Sequence, residues 1–224
     1  MIAEILNYLR DLSQNNNREW FNANKGRYNE LKEAHTGIIQ EIIDRLSKND
    51  SELAHLQAKD CLFRIHRDIR FSPNKLPYKT YFGAYICAGG GRKSPRSGYY
   101  LHLEPDNCLL SGGLWMPEPK LLRRLRQDIY DHIDEFLGIL ERPSFKAVYP
   151  GLDGEMLKRV PSNFPFNFEY EHLLRYKDYC ITTKKPDSFF DDPEWISHAI
   201  DIFSLQIPFH RFLNYTVDEL NGKK

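Results

Sequence analysis

Cysteine is scarce in this chain of 224 residues: Cys61, Cys87, Cys108 and Cys180, with no Cys-x-x-Cys among them. That spacing excludes the usual zinc and redox motifs, and the reading expects buried free thiols. Eight histidines are scattered without a His-Glu-x-x-His, so neither a metal nor another cofactor is expected. No phosphate loop of the Gly-x-x-x-x-Gly-Lys-Ser/Thr type and no Gly-x-Ser-x-Gly elbow is present. Gly89-Gly90-Gly91-Arg92-Lys93-Ser94 has the right ingredients at the wrong spacing and reads as part of a mobile loop over 88–98. No apolar run approaches the roughly 20 residues a membrane-spanning helix needs. The amino-terminal Met1-Ile2-Ala3-Glu4-Ile5-Leu6-Asn7 lacks the regions of a signal peptide. The expectation is a cytoplasmic protein with no membrane partner.

An excess of one charge is also missing, since 31 Lys and Arg balance 31 Asp and Glu. The balance is uneven along the chain. Residues 59–103 carry nine Lys or Arg against Asp60 and Asp68 alone. A neutral protein with a basic middle attracts an anion locally without being a general polyanion binder.

The hydrophobic pattern supplies the architecture. Ile2, Ile5, Leu6, Leu9 and Leu12 recur at helical spacing, Ser13 to Asn17 interrupts, and a longer helix is expected from Arg18 to Lys48, with a break near Gly26. From Cys61 the period becomes two: Phe63, Ile65, Arg67, Ile69 and Phe71 on one side, Arg64, His66, Asp68 and Arg70 on the other. Further strands are expected at Tyr78–Cys87, Tyr99–Leu103 and Cys108–Ser111, with one more at Tyr179–Thr183. A helix opens at Pro119 and runs to Leu140; residues 141–170 read as irregular with short helices. Asp192-Pro193 starts a helix to about Gln206, and a last helix follows Pro208. The class is α+β. One antiparallel meander over about 61–112 is covered by amino- and carboxy-terminal helices, within a single domain over 1–224: helical 1–58, sheet 59–117 and mostly helical 118–224.

Residues 64–79 put three arginines, two lysines and one aspartate into a segment patterned as a strand. An inward Arg67 would need an acceptor, because an unpaired buried guanidinium costs several kcal/mol. On strand parity Asp68 serves Arg64 or Arg70 better than Arg67. The remaining cations exceed what one aspartate can neutralise, and guanidinium forks match phosphate and carboxylate oxygens.

Arg64-x-x-Arg67-Asp68-x-Arg70-Phe71 followed by Lys75-x-Pro77-Tyr78-Lys79 resembles the signature of domain of unknown function 2461, a family found mainly in bacteria with some fungal members. Asn16-Asn17-x-x-Trp20-Phe21, Tyr99-Tyr100-x-x-Leu103 and Gly112-Gly113-x-Trp115 are similar to further segments of that family, so the likeness spans roughly residues 5–205. The small residue usual late in the family's carboxy-terminal proline segment is replaced in Pro161-Ser162-Asn163-Phe164. The resemblance implies a shared site and brings no established activity, substrate or cofactor.

The function expected is a basic pocket for a phosphate- or carboxylate-bearing ligand. Arg64, Arg67 and Arg70 are the anion contacts, Lys75 and Lys79 secondary contacts, Asp68 the orienting carboxylate, and Tyr78 and Trp115 the wall. Two alternatives stand beside it. One is a hydrolase or phosphoryl-transfer enzyme using Asp68 and His66, with His102 on a neighbouring strand. The other is a structural or partner-binding protein whose arginines serve the fold. Nucleic acid stays open as a partner, and exposed aromatics beside the arginines would favour it. Neither oligomeric state nor pathway is legible.

Overall fold

A computed structural model describes residues 1–165 and 167–222. In chain order the helices and strands are α1 (Ile2–Gln14), α2 (Arg18–Ala23), α3 (Lys25–Leu46), α4 (Ala58–Cys61), β1 (Phe82–Ile86), β2 (Gly98–Leu103), β3 (Cys108–Leu114), α5 (Pro119–Asp131), α6 (Ile133–Leu140), α7 (Pro143–Lys146), β4 (Tyr179–Lys185), α8 (Trp195–Ser204) and α9 (Ile207–Leu220). The four strands form one antiparallel open sheet in the order β1-β2-β3-β4. The protein is α+β. Among the described residues no helix is long and apolar enough to cross a membrane.

Local chemistry explains several element ends. Asn17 accepts a hydrogen bond from the Trp20 amide and caps α2. The expected long second helix divides at Asn24, whose side chain folds back onto the Trp20 carbonyl. Pro119, Pro143 and Pro208 sit in the first turns of α5, α7 and α9, where a missing amide costs nothing. The single helix expected over 119–140 is two, because His132 leaves helical geometry. Residues 147–170 are mostly irregular; Phe166, within the proline-aromatic run there, lies outside the described residues.

The sheet differs from the expected meander over about 61–112 in both membership and extent. Residues 61–71 are not a strand. Cys61 closes α4, and residues 62–81 pair only through isolated antiparallel bridges, Leu62 with Ala84 and His66 with Tyr78. Pro73 and Pro77 offer no amide to a ladder, and the turn between them separates the two sides. Of the five side chains patterned to face inward, Ile65 is buried, whereas Phe63 and Phe71 are 40% and 94% exposed. The fourth strand is β4, from the distant Tyr179–Lys185. The loop expected to be mobile contains a 3-10 turn at Gly91–Lys93, held by Arg92 donating to the carbonyls of Lys59 and Asp60.

The chain divides into two compact units, the division falling within β2, β3 and β4. The first comprises Met1–Ser94, Tyr100–Leu110 and Lys184–Ser204. Its core takes Ile5, Leu6, Leu9 and Leu12 from α1 and Ile39, Ile42, Ile43 and Leu46 from α3. Aromatic rings continue it: Tyr8 meets Trp20 and Tyr28, and Tyr28 meets Phe21 and Phe82. His35 is buried against Phe82.

The second unit comprises Pro95–Tyr99, Ser111–Thr183 and Leu205–Lys224. Leu125 and Ile129 of α5 and Phe209, Leu213 and Val217 of α9 are buried here, and Asp128 accepts from Thr216 across them. Beside this core runs a buried polar chain. Gln206 Nε2 donates to the Tyr149 hydroxyl at 2.5 Å, leaving Oε1 to accept from His210 Nε2 at 2.9 Å. His210 Nδ1 is then the acceptor for the Ser97 hydroxyl at 2.7 Å. Asn214 holds the same serine's backbone in both directions. Gly112 makes room for this chain: a Cβ there would stand 2.0 Å from Gln206 Oε1. Its neighbour Gly113 has φ +129° and leaves only 2.1 Å between such a Cβ and the Tyr179 carbonyl oxygen.

Candidate functional site

The basic segment forms an arm of the first unit, residues 62–81, folded back on itself. The Phe63 amide donates to Gly83, Lys79 to Ile65 and Arg67 to Pro77, so Arg64 and Lys79 lie near the base and the turn over 69–76 is the tip. At the tip Asn74 accepts from the Leu76 amide, and Lys75 Nζ donates to the Ile69 carbonyl at 3.0 Å.

Tyr78 fixes the arm to the unit. Its phenol ring is buried and stacks on Phe21, with centroids 4.0 Å apart. The Asn16 side chain grips its backbone twice, donating to the Tyr78 carbonyl at 3.0 Å and accepting from its amide at 3.1 Å. The His66 ring packs by its edge on Phe21 and tilts against Tyr78.

The cations divide into satisfied and unsatisfied. Arg70 grips Asp68 with Nε and Nη2 at 3.0 and 2.7 Å, and its amide adds a third bond. These bonds hold the Asp68 carboxyl down to about 2. Among the described residues Arg67 has only neutral acceptors, the Leu76 carbonyl at 3.3 Å and the Ser72 hydroxyl at 3.4 Å. Lys79 places Nζ 5.1 Å from the Phe63 ring centroid and 5.4 Å from that of Tyr81. Burial, and then the charge of Arg64, push this ammonium below the usual lysine range. Arg64 is exposed, and its guanidinium makes no hydrogen bond or ion pair with another described residue.

Next to the arm a second polar chain runs along one face of β2. The Tyr100 hydroxyl lies 2.8 Å from His102 Nδ1, and His102 Nε2 lies 3.3 Å from Glu104. Glu104 also accepts from Thr80 and Asn107. Tyr81 covers the His102 imidazole, centroids 4.4 Å apart. The carboxylate orients the histidine, whose other nitrogen accepts from the phenol. Burial holds the imidazole below its ordinary value and the Tyr100 phenol above its own.

A family model described as "Conserved hypothetical protein (DUF2461)" matches residues 4–212. The chain belongs to the DUF2461 family. No curated protein and no solved structure matches it.

In this DUF2461 chain the predicted residues part company. Arg64, Arg67, Asp68, Arg70, Lys75 and Lys79 all lie on the arm, as expected of neighbours in sequence; Asp68 accepts its hydrogen bonds from Arg70 and feels Arg64 only through its charge. No hydrogen bond joins Asp68 to His66 among the described residues. Tyr78 is inside, as the arm's anchor. Trp115 belongs to the second unit and is 77% exposed. Two arrangements escaped the sequence reading, the anchoring of Tyr78 and the linkage of His102 to Tyr100 and Glu104. Asn16 and Phe21 act on Tyr78 from about 60 positions away, and no local pattern announces that pairing. Tyr100, His102 and Glu104 alternate with the buried Tyr99, Leu101 and Leu103, so strand parity does signal that they share a face.

Proposed function

We propose that the 62–81 arm binds a phosphate- or carboxylate-bearing ligand, with Arg64 as its principal contact. The observation that carries this is the pair at the arm's base. An exposed Arg64 and a half-buried Lys79 stand together, close enough for one charge to disfavour the other. An anion placed there relieves the repulsion and receives a planar fork from the guanidinium. Arg67, on long bonds to neutral acceptors, is the next cation along the arm. Asp68 fits the role of orienting Arg70.

The acid-base alternative draws more support from Glu104, His102 and Tyr100 than from Asp68 and His66. A carboxyl held near 2 by two guanidinium bonds is a poor proton acceptor, whereas the histidine on β2 has a carboxylate behind it and a phenol before it.

The test is thermal unfolding with and without pyrophosphate or citrate, wild type beside Arg64→Ala. A ligand at about 100 times its dissociation constant stabilises by roughly 2.7 kcal/mol. The proposal expects a raised midpoint in wild type and a much smaller rise in the variant. Equal rises in both proteins would remove Arg64 from the site.

A further inference from the structure

Phe71 is unexplained by the fold. It is the most exposed of the large apolar side chains among the described residues, at 94%, and it stands at the tip of an arm whose other notable content is cationic. The Arg70 guanidinium lies 5.9 Å from its ring centroid and is itself fixed in place by Asp68. The tip therefore presents a ring and a planar cation side by side, both held by a short turn. At the base the arrangement repeats: Phe63, 40% exposed, with the Lys79 ammonium over it and Arg64 beside.

We propose that the arm is a platform for single-stranded nucleic acid, with bases stacking on Phe71 and Phe63 and the phosphate chain following the cations between them. This rests on the anion-binding reading and names its ligand as a polymer. Three properties favour it over other anions. The cations follow one another along the arm, Arg64 at the base, Arg67 midway and Arg70 and Lys75 near the tip, with Asp68 among them bonded to Arg70, a succession that suits the repeated phosphates of a chain better than one small anion. Aromatic rings and guanidinium planes are the surfaces on which unpaired bases stack, and every base has such a face, so no sequence code is needed. A lipid surface would engage the tip and leave the cations at the base idle, whereas a linear polyanion uses both ends.

Fluorescence anisotropy with a labelled oligonucleotide of about 15 residues, of deoxythymidine or uridine, tests this in the full chain. Inorganic polyphosphate of comparable length serves as competitor, and phosphatidylserine vesicles as a separate arm. Phe71→Ala, at an exposed position, should weaken oligonucleotide binding about 5- to 100-fold and leave polyphosphate binding unchanged. Arg64→Ala should weaken both and lower the slope of log affinity against log salt by about 0.7. The proposal is overturned if Phe71→Ala affects oligonucleotide and polyphosphate equally, or if vesicles bind and oligonucleotides do not. It is overturned too if no oligonucleotide binds while pyrophosphate still raises the melting midpoint; the anion-binding reading then survives alone.

Discussion

In the second unit Ser97, Gln206, His210 and Asn214 are buried, and each side chain gives or receives within one connected chain. On the arm of the first unit Arg64 is exposed and hydrogen-bonded to no other described residue, Arg67 rests on neutral oxygens, and Arg70 is bonded to the Asp68 carboxylate. The chemistry of the two places is similarly polar and their energetics are opposite. A buried polar group left unpaired loses its hydration with nothing in return, so such a chain persists only when complete. An exposed cation keeps its water and can stay unpaired at little cost until a ligand arrives. The buried chain belongs to stability and the arm to recognition.

The most damaging change to the buried chain is Gly112→Ala, which puts a methyl carbon 2.0 Å from Gln206 Oε1 and 2.8 Å from His210 Cε1. A loss of about 3 kcal/mol or more is expected, read as a melting midpoint roughly 6–12 °C lower. Next comes His210→Ala, which strips the Ser97 hydroxyl and Gln206 Oε1 of a shared partner. Chemical denaturation should show about 2–4 kcal/mol lost.

Asn16→Ala sharpens the contrast from the other side, because it cuts the two bonds to the Tyr78 backbone without touching a cation. Stability should fall by about 1–2 kcal/mol, and affinity for pyrophosphate should fall with it if the arm must be held to bind. Unchanged affinity would mean that the arm needs no anchoring.

Acid separates the regions as well. Burial lowers His210 to about 3 and His35 to about 4, below the unfolded value near 6.5. Below that value the unfolded chain takes up protons the folded one refuses, so stability is full above about pH 6.5 and declines as pH falls toward 4 for His35 and toward 3 for His210. The decline, followed by melting midpoint, should be shallower in His210→Ala. Smallest of all in stability is Arg64→Ala, expected within about 0.5 kcal/mol of wild type. A large loss there would place Arg64 among the structural residues and erase the contrast.

How far the sequence revealed this depends on which force dominates at each position. The helices at both ends were legible because burial of one stripe dictates their spacing, as in Ile5, Leu9 and Leu12 or Leu125 and Ile129. The strand expected at 61–71 has the right alternation, but alternation records which way side chains point and not whether a neighbour completes a ladder; here Pro77 accepts from Arg67 but has no amide to return, and pairing stays at isolated bridges. The cations of the candidate site could be listed from sequence. Strand parity narrowed the partner of Asp68 to Arg64 or Arg70; that Arg70 supplies its hydrogen bonds follows from a turn geometry that residue types do not encode. Likewise the Gly112-Gly113 pair was visible as a motif, while its reason, room for Gln206 and for the Tyr179 backbone, lies some 65 to 95 positions later.

The most direct test of the arm as a recognition element is an NMR titration of arginine Nε–H signals with pyrophosphate. The account predicts that Arg64 shifts most, Arg67 next, and that the buried Arg126, tied to the Tyr176 carbonyl, stays still. Signals of Arg64 and Arg67 that do not move at saturating pyrophosphate, or shifts spread evenly over all arginines, would contradict it.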